Sequence, residues 1–256
     1  MKTTLSLFLL LIVTSAFAGQ TYYSQELSTK LNDHLLKDDT LKIALFTKIS
    51  SKQTSLGYDG ARRVMFGQLY LKSDENGYYV QDVYCQKRFG KNTGVSPRSI
   101  PKSAMLNCEH TWPQSKFTKA FPSDIQKADL HHLYPSDSRA NSIRGNMNFT
   151  DVAHDIGILA DGDCTASKFG SSATNSNDGF EPPLSHKGNV ARSIFYFSVR
   201  YKIAIPKKEE EVLRRWNDLD PVDQEEMDRN DKIEKAQGNR NPFIDFPTLA
   251  NDINKF

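Results

Sequence analysis

The chain opens with a pattern that reads as an export signal, and that sets the expectation for which residues fold and in what redox environment they do so. Lys2 is followed by an apolar run from Leu5 to Val13 and by Ala16-Phe17-Ala18, a small-x-small pattern before Gly19. The run is well short of the ~20 apolar residues that span a bilayer. Residues 1–18 are therefore expected to be removed as a signal peptide, leaving 19–256 as the folding unit of an exported protein, periplasmic or secreted. No second apolar run approaches membrane length, so no membrane association is expected once the signal is cleaved. In an oxidising compartment the three cysteines, Cys85, Cys108 and Cys164, suggest one disulfide and one free thiol. Their spacing leaves all three pairings open.

A chain of 256 residues can bury a core without a disulfide framework or a structural metal. Hydrophobic residues make up 38% and charged residues 25%, which excludes collagen, coiled coil, low-complexity disorder and a polytopic membrane protein. The formal net charge of +2 is uninformative until it is read by segment. Between Cys85 and Gly145 ten Lys or Arg face four acids, whereas between Lys207 and Lys235 seven bases face eleven acids. A basic middle suits phosphate contacts, and an acidic tail cancels it in the total.

Periodicity predicts a helix over residues 24–47, another over 187–201 with Val190, Ile194, Phe197 and Tyr201 on one face, and a third over 209–216. Asp220 with Pro221 starts a fourth, which Gly238 stops. Tyr- and Val-rich residues 78–85 predict a strand, and 104–108 and 130–134 predict short ones. Residues 138–143 predict a short helix ended by Gly145, 86–103 and 161–179 predict loops, and 58–71 fit helix or strand equally. No linker divides this pattern, so the expectation is a single α+β domain, mostly helical.

Chemistry concentrates in one interval. His110, His131, His132 and His154 share it with Glu109, Asp129, Asn141 and Asn146. An acid and an amide oxygen are hard ligands suited to Mg²⁺ rather than Zn²⁺. Histidine is the natural general base near neutral pH. Together these parts suffice for metal-assisted hydrolysis of a phosphodiester.

The blocks that carry these residues are more specific than any one of them. Asn107-Cys108-Glu109-His110-Thr111-Trp112-Pro113-Gln114-Ser115, Asp129-Leu130-His131-His132-Leu133 and Arg139-Ala140-Asn141-Ser142-Ile143-Arg144-Gly145-Asn146 resemble, in order, the active-site segments of the bacterial endonuclease I family. The likeness continues through Lys187-Gly188-Asn189-Val190-Ala191-Arg192 and Asn239-Arg240-Asn241-Pro242-Phe243-Ile244-Asp245. The resemblance implies a ββα-metal (His-Me finger) motif within 19–256 and a sequence-nonspecific endonuclease acting on DNA and RNA. It implies one Mg²⁺, for which Mn²⁺ or Ca²⁺ can substitute in binding, and 5′-phosphate products. Residue by residue, it implies Glu109 and Asn146 as metal ligands, His110 as general base, and Asp129, His131 and Asn141 as supports behind them. Better-known members hold the phosphate with an arginine between the motif halves. Here only Lys116, Lys119 and Lys127 lie between His110 and Asp129, so Arg144 and Arg192 are the candidate catalytic arginines. Lys116, Lys119 and Trp112 are candidate substrate contacts, with core packing as the alternative for Trp112. Activity is expected to fall as His110 is protonated, near the ordinary value of ~6.5.

Two other classes compete. One is a Zn²⁺ hydrolase using His110, His131 and His132, although no His-Glu-x-x-His occurs. The other is a noncatalytic nucleic-acid-binding module on the same fold.

Overall fold

The computed structural model describes residues 22–173 and 178–256, and the expected export signal lies outside the described residues. The helical periodicity of 24–47 resolves into two helices, α1 (Gln25–Asn32) and α2 (Asp38–Ser50). The break falls at Asn32-Asp33-His34, where His34 takes a φ of 53°. Asn and Asp favour local hydrogen bonds over helix continuation, which ends the run there. The ambiguous stretch 58–71 becomes α3 (Gly57–Val64), prolonged by a π-helical turn at Met65–Leu69.

Strand β1 (Leu71–Asp74), β2 (Gly77–Gln81) and β3 (Arg88–Phe89) pair antiparallel in that order. The strand expected to reach Cys85 stops at Gln81 because the buried Asp82 carboxylate accepts from the backbone N–H of Tyr84, Cys85 and Lys87. That folds 82–87 into a turn and fixes Tyr84 inward. Asp82 also accepts from Asp137 N, tying this turn to the next sheet. There, β4 (Leu106–His110) pairs antiparallel with β5 (Leu133–Asp137). Between them lie α4 (Ser123–Lys127) and a 3₁₀ turn at Leu130–His132, which takes the first half of the strand expected over 130–134. Asp137 then caps α5 (Ser138–Arg144) by accepting from Arg139 N and Ala140 N, and α5 packs on both strands.

Residues 161–179, expected to be loop, contribute two strands of a third antiparallel sheet: β6 (Val152–Asp155), β7 (Lys168–Ser172) and β8 (Asp178–Glu181). Gly162 does belong to a 3₁₀ turn, Ala160–Gly162, whereas Gly170 and Gly179 serve close approach between strands and their neighbours. At Gly170, with φ at 155°, a Cβ would stand 2.1 Å from His154 O.

Helix α6 (Leu184–Tyr201) is the centre of the molecule. The expected face of Val190, Ile194, Phe197 and Tyr201 is buried, but so is the opposite side at Ala191, Phe195 and Tyr196. Helix α7 (Lys207–Leu219) packs along it with Val212, Leu213 and Trp216. The last long helix, α8 (Gln224–Gln237), is capped by Asp223, not by Asp220, which instead accepts Gly188 N. Gly238 ends it as expected, at φ 88°. A short α9 (Pro242–Asp245) follows, and Arg240 pairs with Asp245 at 2.6 Å to anchor it. The architecture is α+β, and among the described residues no helix is long and apolar enough to cross a membrane. The disulfide joins Cys85 to Cys164, and Cys108 is the buried free thiol.

The core also holds His186, 5% exposed, with its ring edge-on to Tyr134 at 4.7 Å and its Nε2 without a partner. Burial, then Arg229 and Arg192, push its pKa down to about 3. Between that value and the ordinary ~6.5, protons bind the unfolded chain and not the fold, so this residue removes stability as the pH falls. A His186→Phe variant should therefore gain on the wild type by about 1.4 kcal/mol for each pH unit below 6. Paired urea titrations at pH 6 and pH 4.5 read the difference, and a pH-independent gap between the two proteins would refute it.

Candidate active site

Strands β4 and β5 set the site because their register places Glu109 opposite Tyr134 and His110 opposite Leu133. Helix α5 crosses them and carries Asn141 and Arg144. Gly145, at φ 54°, then turns the chain so that Asn146 follows. Glu109, His110, Asn141, Arg144 and Asn146 line one cavity of about 320 Å³, with Tyr58, Gln114 and Ser115 completing the wall. Neighbours on a strand ordinarily face opposite ways. Both Glu109 and His110 reach the cavity because His110 is the last residue of β4.

Glu109 is 1% exposed. Its Oε1 accepts from Tyr84 OH at 2.9 Å and pairs with Arg144 Nη1 at 3.0 Å. Both contacts use the same oxygen, and the His110 backbone N–H also donates to the carboxylate. Burial pushes the carboxyl's pKa up, and Arg144 and the Tyr84 hydroxyl oppose that rise. A cation in the cavity would act in the same sense as Arg144.

His110 is held in a defined tautomer. Nε2 lies 3.1 Å from the Lys127 carbonyl oxygen, which can only accept, so Nε2 carries the proton. Nδ1 then holds the lone pair, and the amide of Gln114 donates toward it at 3.3 Å. Burial, followed by the neighbouring His132, keeps the pKa well below the ordinary 6.5. The neutral base therefore persists to lower pH than the sequence alone implies.

The other candidates divide. Asn141 lines the cavity, with its amide 3.5 Å from Cys108 O. Asn146 is exposed, and its Nδ2 lies 3.5 Å from Ser115 Oγ. Arg144 is 2% exposed and its guanidinium is committed to protein: Nη1 donates to His110 O, Nη2 to Thr111 O, and Nη1 pairs with Glu109. It holds the end of β4 and orients the carboxylate. Arg192 is not at the site. It is wholly buried between α6, α7 and α8, bonded to Glu226, to Asn217 Oδ1 and to Asp220 O.

Asp129 and His131 do not touch Glu109 or Asn146 either. Asp129 accepts from Tyr196, Tyr201, Gln53, Gln237 and His131 N, locking the 3₁₀ turn to α6 and α8. His131 Nε2 bonds Asn239 O, and His132 Nε2 bonds Gln126 O at 2.8 Å. With their rings fixed in the core, they cannot join His110 as a Zn²⁺ triad. Among the described residues no group of three His, Cys, Asp or Glu is placed to hold a metal. Trp112 is 6% exposed and stacks on Phe197 at 5.2 Å, so it packs the core rather than a base. Lys116 is exposed and donates to Asn148 Oδ1, and Lys119 is exposed outside the cavity wall.

Sequence reasoning missed Tyr58, Tyr84, Gln114 and the Lys127 carbonyl. Gln114 sat inside the motif block that carries Glu109 and His110, so the length of the block was its signal. Tyr58, Tyr84 and a backbone carbonyl had none.

A model of the family described as Endonuclease I matches residues 37–248. The chain belongs to the endonuclease I family. It is 37% identical over 268 aligned residues to the extracellular ribonuclease of Bacillus amyloliquefaciens, covering 94% of this chain and 81% of that one. It is also 37% identical over 169 residues to the extracellular ribonuclease of Bacillus subtilis, covering 57% of this chain and 53% of that protein. The match thus spans only about half of that relative's length. An extracellular deoxyribonuclease of Aeromonas hydrophila is 27% identical over 141 residues, 55% of this chain and 58% of its own. Within this endonuclease I chain, the matched region holds every residue of the cavity wall.

Proposed function

We propose that the protein is an exported, sequence-nonspecific endonuclease that hydrolyses phosphodiester bonds of DNA and RNA, leaving 5′-phosphate ends. The observation that carries the reading is the meeting of Glu109, His110, Asn141 and Asn146 in one cavity, with the His110 Nδ1 lone pair directed by a backbone carbonyl on the far nitrogen. Relatives named ribonuclease and deoxyribonuclease both occur, which supports action on both nucleic acids, and their names place them outside the cell. In this reading residues 1–18 are the cleaved signal and 19–256 one catalytic domain.

The donor set fits Mg²⁺. The Glu109 carboxylate and the amide oxygen of Asn146 are hard ligands in one polar cavity, and Mg²⁺ is commonly held by one or two protein oxygens with waters and substrate phosphate. Mn²⁺ and Ca²⁺ would bind the same oxygens. β4, β5 and α5 would then form the ββα-metal motif. When bound, the cation neutralises charge growing on the phosphate and the leaving oxygen. His110 Nδ1 takes the proton of the attacking water when that water displaces the 3.3 Å Gln114 contact, and the Lys127 carbonyl stabilises the imidazolium that results. Arg144 and Tyr84 keep the Glu109 carboxylate in place. Contacts to phosphates rather than base edges give little sequence preference.

The test incubates purified mature protein with plasmid DNA and with RNA, with Mg²⁺ or with EDTA. Both should be degraded with Mg²⁺ and neither with EDTA, and product ends should accept ligation without prior phosphorylation. Intact nucleic acid in the presence of Mg²⁺ sinks the reading, and undiminished cutting in EDTA sinks the metal.

A further inference from the structure

Helix α3 brings an aromatic ring to the cavity, and two cations lie against that ring. Tyr58 lines the wall, its centroid 5.5 Å from that of His110 with the planes 34° apart. Lys127 Nζ stands 4.4 Å from the Tyr58 centroid and Arg62 Cζ stands 4.5 Å from it. Arg62 shares its charge with Asp59, a residue 71% exposed at its side chain. Among the described residues no carboxylate comes within 4.0 Å of the Lys127 ammonium. Its acidic neighbour, the exposed Asp59, is bonded to Arg62 and feels Lys127 only at longer range, so the Lys127 ammonium keeps its donors beside the base. The same residue supplies the carbonyl that fixes His110 Nε2, so the cation is tied to the reacting group through one peptide unit.

We infer that Lys127 and Arg62, supported on the Tyr58 ring, form a seat for the backbone phosphate adjacent to the one being cut. The inference rests on the nuclease reading and extends it to how the strand is held. Cations are steadied against an aromatic face by the ring quadrupole, yet they keep their hydrogen-bond donors for an anion. With two cations against it, the ring carries charge rather than serving as a platform for a base. The buried Glu109 carboxylate is already matched by Arg144, so it does not draw Lys127 away. Lys127 stood out in the sequence only as one of three lysines between His110 and Asp129, and α3 lies outside the basic middle segment altogether.

Binding is measured by fluorescence anisotropy of a short labelled single-stranded DNA, with EDTA present so that nothing is cut. Lys127→Met should weaken binding about five-fold at about 0.1 M salt and lower the slope of log affinity against log salt by about 0.7. Arg62→Gln should act in the same direction, and Lys127→Arg should restore affinity and slope together. In Mg²⁺ the loss should fall on KM rather than on kcat. Wild-type affinity and salt slope in both Lys127→Met and Arg62→Gln would overturn the seat while leaving the nuclease reading intact. A wild-type protein that neither binds nor cuts the DNA would overturn both.

Discussion

Alanine at position 110 should lower turnover of plasmid DNA by about 10²- to 10⁴-fold, the usual worth of a positioned general base. The side chain it removes is 6% exposed and opens onto the cavity, so water can fill the space vacated. The neighbouring contacts it gives up are one bond to the Lys127 carbonyl, one from Gln114 and ring packing on Tyr58 and His132. None of these carries the fold. The variant should keep the wild-type circular dichroism spectrum and a cooperative melt while losing activity, and its oligonucleotide affinity in EDTA should stay close to wild type. Cutting at a third of the wild-type rate or better would move the base elsewhere. His132 does not stand in: its Nδ1 has no partner, but its ring is fully buried and lies outside the cavity wall.

Replacing Arg192 by methionine should do the reverse. The expected loss is about 3–5 kcal/mol of stability, because the substitution leaves Glu226, 3% exposed, as a buried carboxylate without its bonded partner. Burial already pushes the Glu226 pKa up against the pull of Arg192, so removing that guanidinium leaves only the weaker pull of Arg229 against the rise. Adding Glu226→Gln should recover a large part of the loss, since the pair costs most when one partner is missing. Denaturant titrations of the two singles and the double read this directly. A singly substituted protein with wild-type stability but turnover reduced a hundredfold would return Arg192 to the reaction.

These two residues show how much of the molecule the sequence disclosed. Glu109, His110, Asn141 and Asn146 were legible because they sit in two compact blocks, and the strand and helix that carry them are local structure. Arg192 lies in an equally clear block, yet its partner Glu226 is 34 residues away, and nothing local reports that pairing. Trp112 reads the same on either face of a strand end, and only tertiary packing puts Phe197 beneath it. The sheet in 161–179 was hidden because its glycines serve close approach, and composition cannot separate that from a turn. Tyr84 was invisible for a related reason. A carboxylate at Asp82 bends the chain, and a strand-like pattern does not announce where it will stop.

The long path between β4 and β5 has a consequence for how this family of chains can vary. A hairpin is ordinarily closed by a few residues, and a surface connection can be lengthened at small entropic cost. Here the connection, residues 111–132, folds back over the strand it has just left. It returns the Lys127 carbonyl and the Gln114 amide to the two nitrogens of the imidazole at its own start. Insertions and deletions within it are therefore constrained by the chemistry at its root, although much of its surface is open to water. Homologous chains should differ in length in other exposed connections before they differ in this one.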